Sequence, residues 1–201
     1  MIYNKFEFDN TLGMVPTLIE PKLYRDERGY FFESFNLKEF EENMGTNINF
    51  VQDNESLSQK GTIRGMHFQT GPWEQAKLVR VIKGSVYDVA VDIRPNSSTF
   101  GQFVGVHLTE NNHQQFFIPR GFAHGFVALE NDTIFQYKCD NYYHKANEGS
   151  FRWNSISRIP WNNYVNLNKV IVSEKDANAI PFDDYVRRNF SFNNIINMNI
   201  K

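Results

Sequence analysis

Ala76-Lys77-Leu78-Val79-Arg80-Val81-Ile82-Lys83-Gly84-Ser85-Val86-Tyr87-Asp88-Val89-Ala90-Val91-Asp92-Ile93 is the stretch on which the fold turns. β-Branched and other apolar residues crowd both halves, the composition of strands rather than helices. Lys83-Gly84 divides the halves and predicts a tight hairpin there. In the second half Tyr87, Val89, Val91 and Ile93 share one face, and Val86, Asp88, Ala90 and Asp92 share the other. Asp88 lies mid-strand among apolar neighbours. A carboxylate there either faces solvent or lies in a polar pocket with a partner; because an aspartate is usually exposed, solvent is the first expectation.

The same texture extends both ways along the chain. Strands are predicted at Val15–Glu20, Tyr30–Phe35, Ile48–Asn54, Thr62–Gln69, Gly101–Thr109, Gln114–Ile118, Gly125–Leu129 and Thr133–Asp140. Pro95-Asn96-Ser97-Ser98 and Glu110-Asn111-Asn112 read as loops. One early helix is predicted at Leu37–Asn43, with Leu37, Phe40 and Met44 at helical spacing. After residue 160 the pattern shifts to short loops and helical turns, with Ser173 placed to cap one of them. Many closely spaced strands without a βαβ alternation argue for an all-β sandwich or barrel. A chain of 201 residues suits one domain, drawn here over residues 1–188, followed by an Asn-rich tail over 189–201.

Composition narrows the partners. The 21 basic and 23 acidic residues nearly balance, and neither forms a long run, so nothing marks a nucleic-acid or membrane surface. No apolar run is long enough to span a bilayer. Cys139 is the single cysteine, which excludes an intramolecular disulfide. With no apolar signal core in Met1–Glu7, the expected compartment is the cytoplasm.

Few residues have the chemistry of a site. His67 and Gln69 point to one strand face, but glutamine is a poor zinc ligand. With His124 alone beside them, no metal is expected, and a metal-free histidine is suited to acid–base work near neutral pH. Arg64 lies three residues before His67 and belongs on the opposite face unless Gly65 forms a bulge. Taken singly, His67 reads as a structural histidine, Lys77 as an exposed lysine and Tyr137 as a core tyrosine. Asp176, three residues after Ser173, reads as half of a capping box.

Their order along the chain says more. Asp26-Glu27-Arg28-Gly29-Tyr30-Phe31-Phe32-Glu33-Ser34, Phe50-Val51-Gln52-Asp53-Asn54, Arg64-Gly65-Met66-His67-Phe68-Gln69 and Lys77-Leu78-Val79-Arg80-Val81 come first. Asp88-Val89-Ala90-Val91-Asp92, Ile118-Pro119-Arg120-Gly121-Phe122-Ala123-His124-Gly125-Phe126, Tyr137-Lys138 and Ser173-Glu174-Lys175-Asp176 follow. This succession resembles the dTDP-4-dehydrorhamnose 3,5-epimerase family over about residues 15–185. The resemblance implies a cupin-type jelly roll, an isomerase without metal or other cofactor, and a homodimer with exchanged N-terminal strands. It implies a dTDP-4-keto-6-deoxy sugar as substrate and a product that feeds dTDP-rhamnose biosynthesis, hence cell-surface polysaccharide such as O-antigen.

The resemblance also implies roles. His67 matches the base, Asp176 the carboxylate that orients it, Tyr137 the proton donor and Lys77 the group beside the C4 oxygen. Arg64 matches a diphosphate ligand. Arg28, Glu33, Gln52 and Asn54 match residues that hold the nucleotide, some of them across the dimer, and His124 with Asp88 matches an internal pair. Gly71-Pro72-Trp73-Glu74-Gln75 and Trp153-Asn154-Ser155 depart from the family pattern while leaving this set intact. A sister activity, epimerisation at C3 only or 3,4-ketoisomerisation, would use similar residues; the Tyr137 acid and the lack of a second histidine at Gln69 argue against the ketoisomerase.

Overall fold

The structure, a computed structural model, describes residues 1–190. The Asn-rich stretch from 191 onward lies outside the described residues; Asn189 itself ends a helix.

Two antiparallel layers, one of six strands and one of five, face each other. The first runs β1 (Ile2–Lys5), β2 (Thr17–Glu20), β10 (Gln115–Ile118), β7 (Lys77–Lys83), β12 (Thr133–Cys139) and β5 (Gln52–Ser58). The second runs β13 (Glu148–Ser150), β6 (Thr62–Gln69), β11 (Phe122–Ala128), β8 (Ser85–Asp92) and β9 (Phe103–Thr109). A short β14 (Ile171–Val172) adds to β6 in parallel. A hairpin of β3 (Tyr24–Asp26) and β4 (Gly29–Phe31) stands apart as its own small sheet. This is the all-β, jelly-roll sandwich of the cupin type, with a few short helices.

Three apolar layers explain the burial. Between the sheets, Val79, Val81, Phe116 and Phe135 of the first meet Val86, Ala90, Leu108 and Phe126 of the second. The outer face of the second sheet is covered too: Tyr87, Val89 and Val91 pack under Phe151, Trp153, Trp161 and Phe182 from the C-terminal segment. Helix α1 (Leu37–Met44) covers the first sheet with Phe40 and Met44 against Leu78 and Phe117. Asn36 caps α1 by accepting from Glu39 N at 3.2 Å, and Gly45, at φ 72°, ends it in the left-handed region. Because both its faces are covered, β8 is buried at every position.

The structure corrects three expectations. Lys83-Gly84 is not a hairpin turn within a sheet, for β7 pairs with β10 and β12 while β8 pairs with β9 and β11. The chain crosses there from one layer to the other. Asp88 does not face solvent: it points between the sheets and is fully buried. Strand limits also move. β5 begins at Gln52 rather than Ile48, the aromatic strand after Arg28 stops at Phe31, and β11 begins at Phe122, ahead of Gly125.

Candidate active site

A cavity of about 450 Å³ opens between the layers. Arg64 and His67 reach it from β6, Lys77 from β7, His124 from β11, Tyr137 from β12 and Asp176 from α2 (Glu174–Ala177). A second cavity of about 280 Å³ adjoins it, lined by Gln52, Asn54, Gln69, Tyr143 and Glu148. His67, Lys77 and Tyr137 line both. The structure thus brings together, from five separate elements, the acid–base candidates that the sequence scatters over more than a hundred residues.

Local features of β6 aim its side chains. The register against β11 shifts between His124 and Phe126, and Gly65 at φ 143° lies opposite the shift. A Cβ at Gly65 would stand 2.5 Å from the Gly125 Cα, so only glycine fits. The bulge turns Arg64 to the same cavity as His67, the exception to alternation that Gly65 raised. Arg64 Nε donates to Ser58 Oγ at 3.1 Å and its Nη2 to Leu57 O at 3.2 Å.

His67 Nε2 lies 2.6 Å from Asp176 Oδ1. Pairing of β14 with β6 in parallel, Ile171 opposite Thr62, delivers α2 to this position. Ser173 Oγ accepts from Asp176 N at 3.1 Å, so the helix cap exists, while the Asp176 carboxylate is turned to His67 and to Gly65 N at 3.4 Å. Burial opposes ionisation of Asp176, but hydrogen bonds from His67, Gly65 and Ser173, with the imidazole's charge, outweigh it and hold the carboxyl below its usual value. An ionised Asp176 accepts a hydrogen bond from Nε2–H, and in the neutral imidazole the lone pair is then on Nδ1.

The other groups sit in drier surroundings. Burial lowers the Lys77 pKa, opposed by Cys139, Asp88 and Glu148; its Nζ lies 5.8 Å from the Tyr137 ring centre. Burial raises the Tyr137 pKa, helped by Cys139 and opposed by Arg64, so the phenol keeps its proton at neutral pH. His124 Nε2 contacts both Asp88 oxygens at 3.0 and 2.9 Å. Burial raises Asp88 and lowers His124 despite their mutual attraction, which favours a neutral pair sharing one proton.

Gln52 and Asn54 are hydrogen-bonded to each other at 3.1 Å on the second cavity. Arg28 and Glu33 are not part of either cavity. Arg28 sits at the tip of the β3–β4 hairpin, its side chain 84% exposed and paired with Asp26 at 2.5 Å, and Glu33 is exposed, accepting from Asn36 at 3.3 Å. Sequence reasoning passed over Tyr143, Glu148 and Lys175, which line the cavities. Glu148 accepts from the Tyr143 hydroxyl at 3.2 Å and forms an ion pair with Lys175. Lys175 was adjacent to Asp176 in a recognised motif; Glu148 stood in none. The departing Gly71–Trp73 turn stacks Trp73 on His144, ring centres 4.4 Å apart. Among the described residues no three His, Cys, Asp or Glu side chains are grouped to hold a metal ion, and no helix is long and apolar enough to cross a membrane.

Known proteins resemble this chain in sequence and in fold. The chain is 48% identical over 168 residues to a dTDP-4-dehydrorhamnose 3,5-epimerase of Shigella flexneri, covering 83% of this chain and 91% of that protein. A crystal structure of a dTDP-4-dehydrorhamnose 3,5-epimerase from Elizabethkingia anophelis superposes with a TM-score of 0.84 at 48% identity, over 92% of this chain and 97% of that one. A dTDP-6-deoxy-D-glucose-3,5-epimerase from Legionella pneumophila, solved in complex with dTDP-4-keto-L-rhamnose, gives 0.80 at 46% identity, over 89% and 91%. A family model for dTDP-4-dehydrorhamnose 3,5-epimerase matches residues 15–184, nearly the whole sandwich with the carboxylate that supports His67, and on these grounds the chain belongs to that family.

Proposed function

We propose that this chain converts dTDP-4-dehydro-6-deoxy-D-glucose to dTDP-4-dehydro-L-rhamnose by moving protons at C3 and C5. One observation carries the reading: the Asp176-supported His67 opens onto a cavity shared with Lys77 and Tyr137. The 4-keto group makes the C3 and C5 protons acidic, because the carbanion left behind is an enolate. His67 Nδ1 takes the proton, and the electron pair moves toward O4. Lys77 stabilises the oxyanion, an interaction worth ~3–4 kcal/mol for one donor in a dry site. Tyr137 returns a proton from the other face, and solvent resets both groups. Arg64 holds the diphosphate as a planar fork, with His124 behind the sugar and Gln52 and Asn54 on the nucleotide.

Arg28 and Glu33 enter the same reading through a homodimer with exchanged N-terminal strands. The β3–β4 hairpin holds Tyr24, Tyr30 and Phe31 largely exposed beside Arg28, a surface suited to a partner's cavity mouth. Light scattering is expected to give the mass of two chains; a monomer that is fully active rejects the exchange. The cytoplasm is the compartment this reading assigns. The reaction itself is tested by incubating the enzyme with the 4-keto sugar in deuterium oxide and following C3 and C5 by NMR. Deuterium at both carbons is expected, whereas exchange at C3 alone makes the enzyme a 3-epimerase.

A further inference from the structure

We infer that Asp140 is a positioning residue for Lys77, holding the backbone from which the lysine reaches the C4 oxygen; this rests on the function proposed above. Lys77 is the first residue of β7 and stands on the last rung of both its ladders, opposite Ile118 of β10 and Cys139 of β12. Among the described residues no hydrogen bond or ion pair holds its ammonium, whose Nζ lies 5.8 Å from the Tyr137 ring centre. The place of that charge is therefore set by the chain beneath it. Chain pairing opens most readily at its ends, and here the end is closed by a carboxylate. Asp140 Oδ1 accepts from Ala76 N at 2.6 Å, and Asp140 N donates to Ala76 O at 3.2 Å. One residue thus satisfies both backbone groups of the buried alanine that precedes Lys77.

The carboxylate is itself held. Arg120 Nε donates to Asp140 Oδ2 at 2.8 Å. The Asp140 side chain is 8% exposed and that of Arg120 is 45% exposed, so the guanidinium closes the bond to Ala76 off from water. Three segments meet at Asp140: the end of the strand that carries Tyr137, the start of the strand that carries Lys77, and the turn that leads into the strand of His124. The residues after Asp140 have anchors of their own. Tyr143 N donates to Gln52 Oε1 and His144 N to Gln69 Oε1, each at 3.1 Å. Loosening Asp140 is therefore felt at the lysine rather than at Gln52 and Tyr143 on the second cavity. A shift of about 1 Å in a reacting group is enough to cost on the order of 10²-fold in rate.

The test is Asp140→Ala in the full chain, with Asp140→Asn beside it, because an amide oxygen still accepts from Ala76 N while the half-exposed Arg120 can turn to water. Deuterium exchange at C3 and C5 and calorimetric binding of dTDP are measured for each. Asp140→Ala is expected to lower kcat roughly 10- to 100-fold while dTDP affinity stays within about twofold, the pattern of an interaction lost in the reaction and not in binding. Asp140→Asn is expected to recover most of that loss. An unchanged kcat in Asp140→Ala overturns the assignment. So does an equal loss of kcat and dTDP affinity, which would make the residue merely structural, and so does an Asp140→Asn no better than Asp140→Ala. If Asp140→Ala does not fold, Arg120→Gln decides: a several-fold fall in kcat with dTDP binding intact supports the assignment, and an unchanged kcat overturns it. A wild type that exchanges deuterium at neither carbon overturns the proposed function itself, whereas the other outcomes leave that function standing.

Discussion

His67 and His124 stand directly opposite each other on β6 and β11, and each holds an aspartate. The side chain of His67 is 30% exposed and that of His124 is 8% exposed. Asp176 is kept ionised by donors that converge on it, whereas Asp88 is pushed toward its protonated form by burial. The same two residue types therefore make two different devices. One is a partly exposed imidazole on an ionised carboxylate, open to the cavity and proposed above as the base. The other is a buried pair in the cavity wall whose charged forms burial disfavours. Environment, more than residue identity, separates reactive from structural histidine–aspartate pairs.

That contrast can be broken at three points. His67→Asn has the largest expected effect, a fall of roughly 10⁴-fold in deuterium exchange at both carbons, the upper range for a general base. dTDP binding, measured by calorimetry, should survive; retained exchange would remove His67 as the base. Asp176→Asn follows, with kcat down roughly 10²-fold through loss of the Nε2–H tautomer and of support for the imidazolium. Its stability effect is pH-dependent. Asp176 binds a proton less readily when folded than when unfolded, so its contribution is whole above the ordinary carboxylate range. The contribution drains away as pH falls through the depressed folded value, and denaturation of wild type and Asp176→Asn should converge in acid. Asp88→Asn is expected to do least. An amide mimics a protonated carboxyl, so the cost should stay below ~1 kcal/mol. A loss of ~3–5 kcal/mol in urea denaturation would instead show that the second pair is ionic and that the contrast drawn here is wrong.

The sequence predicts Thr62–Gln69 with the limits that β6 has, and the predicted Leu37–Asn43 helix gains one residue at its end. Both carry a local period that survives any tertiary context. What Lys83-Gly84 does is not local. Whether two consecutive strands pair or part depends on which distant strands compete for their edges, and β10 and β11 win both. Asp88 went astray for a similar reason, since its partner His124 lies 36 residues away and is aligned only by pairing of β11 with β8. The catalytic candidates were legible through the order of their motifs. Tyr143 and Glu148 lie outside those motifs and emerge only once the cavity walls are assembled.

The segment that covers the outer face of the second sheet is also the one that brings Asp176 to His67, by way of β14 alongside β6. During synthesis the base emerges from the ribosome with its sheet, more than a hundred residues before its carboxylate. A nascent or truncated chain can thus own a cavity and an imidazole yet lack the carboxylate that holds the imidazole in the folded protein. On the proposed reading, full competence for proton transfer arrives together with the last apolar cover, so the chemistry runs at its best only in a chain already sealed against aggregation.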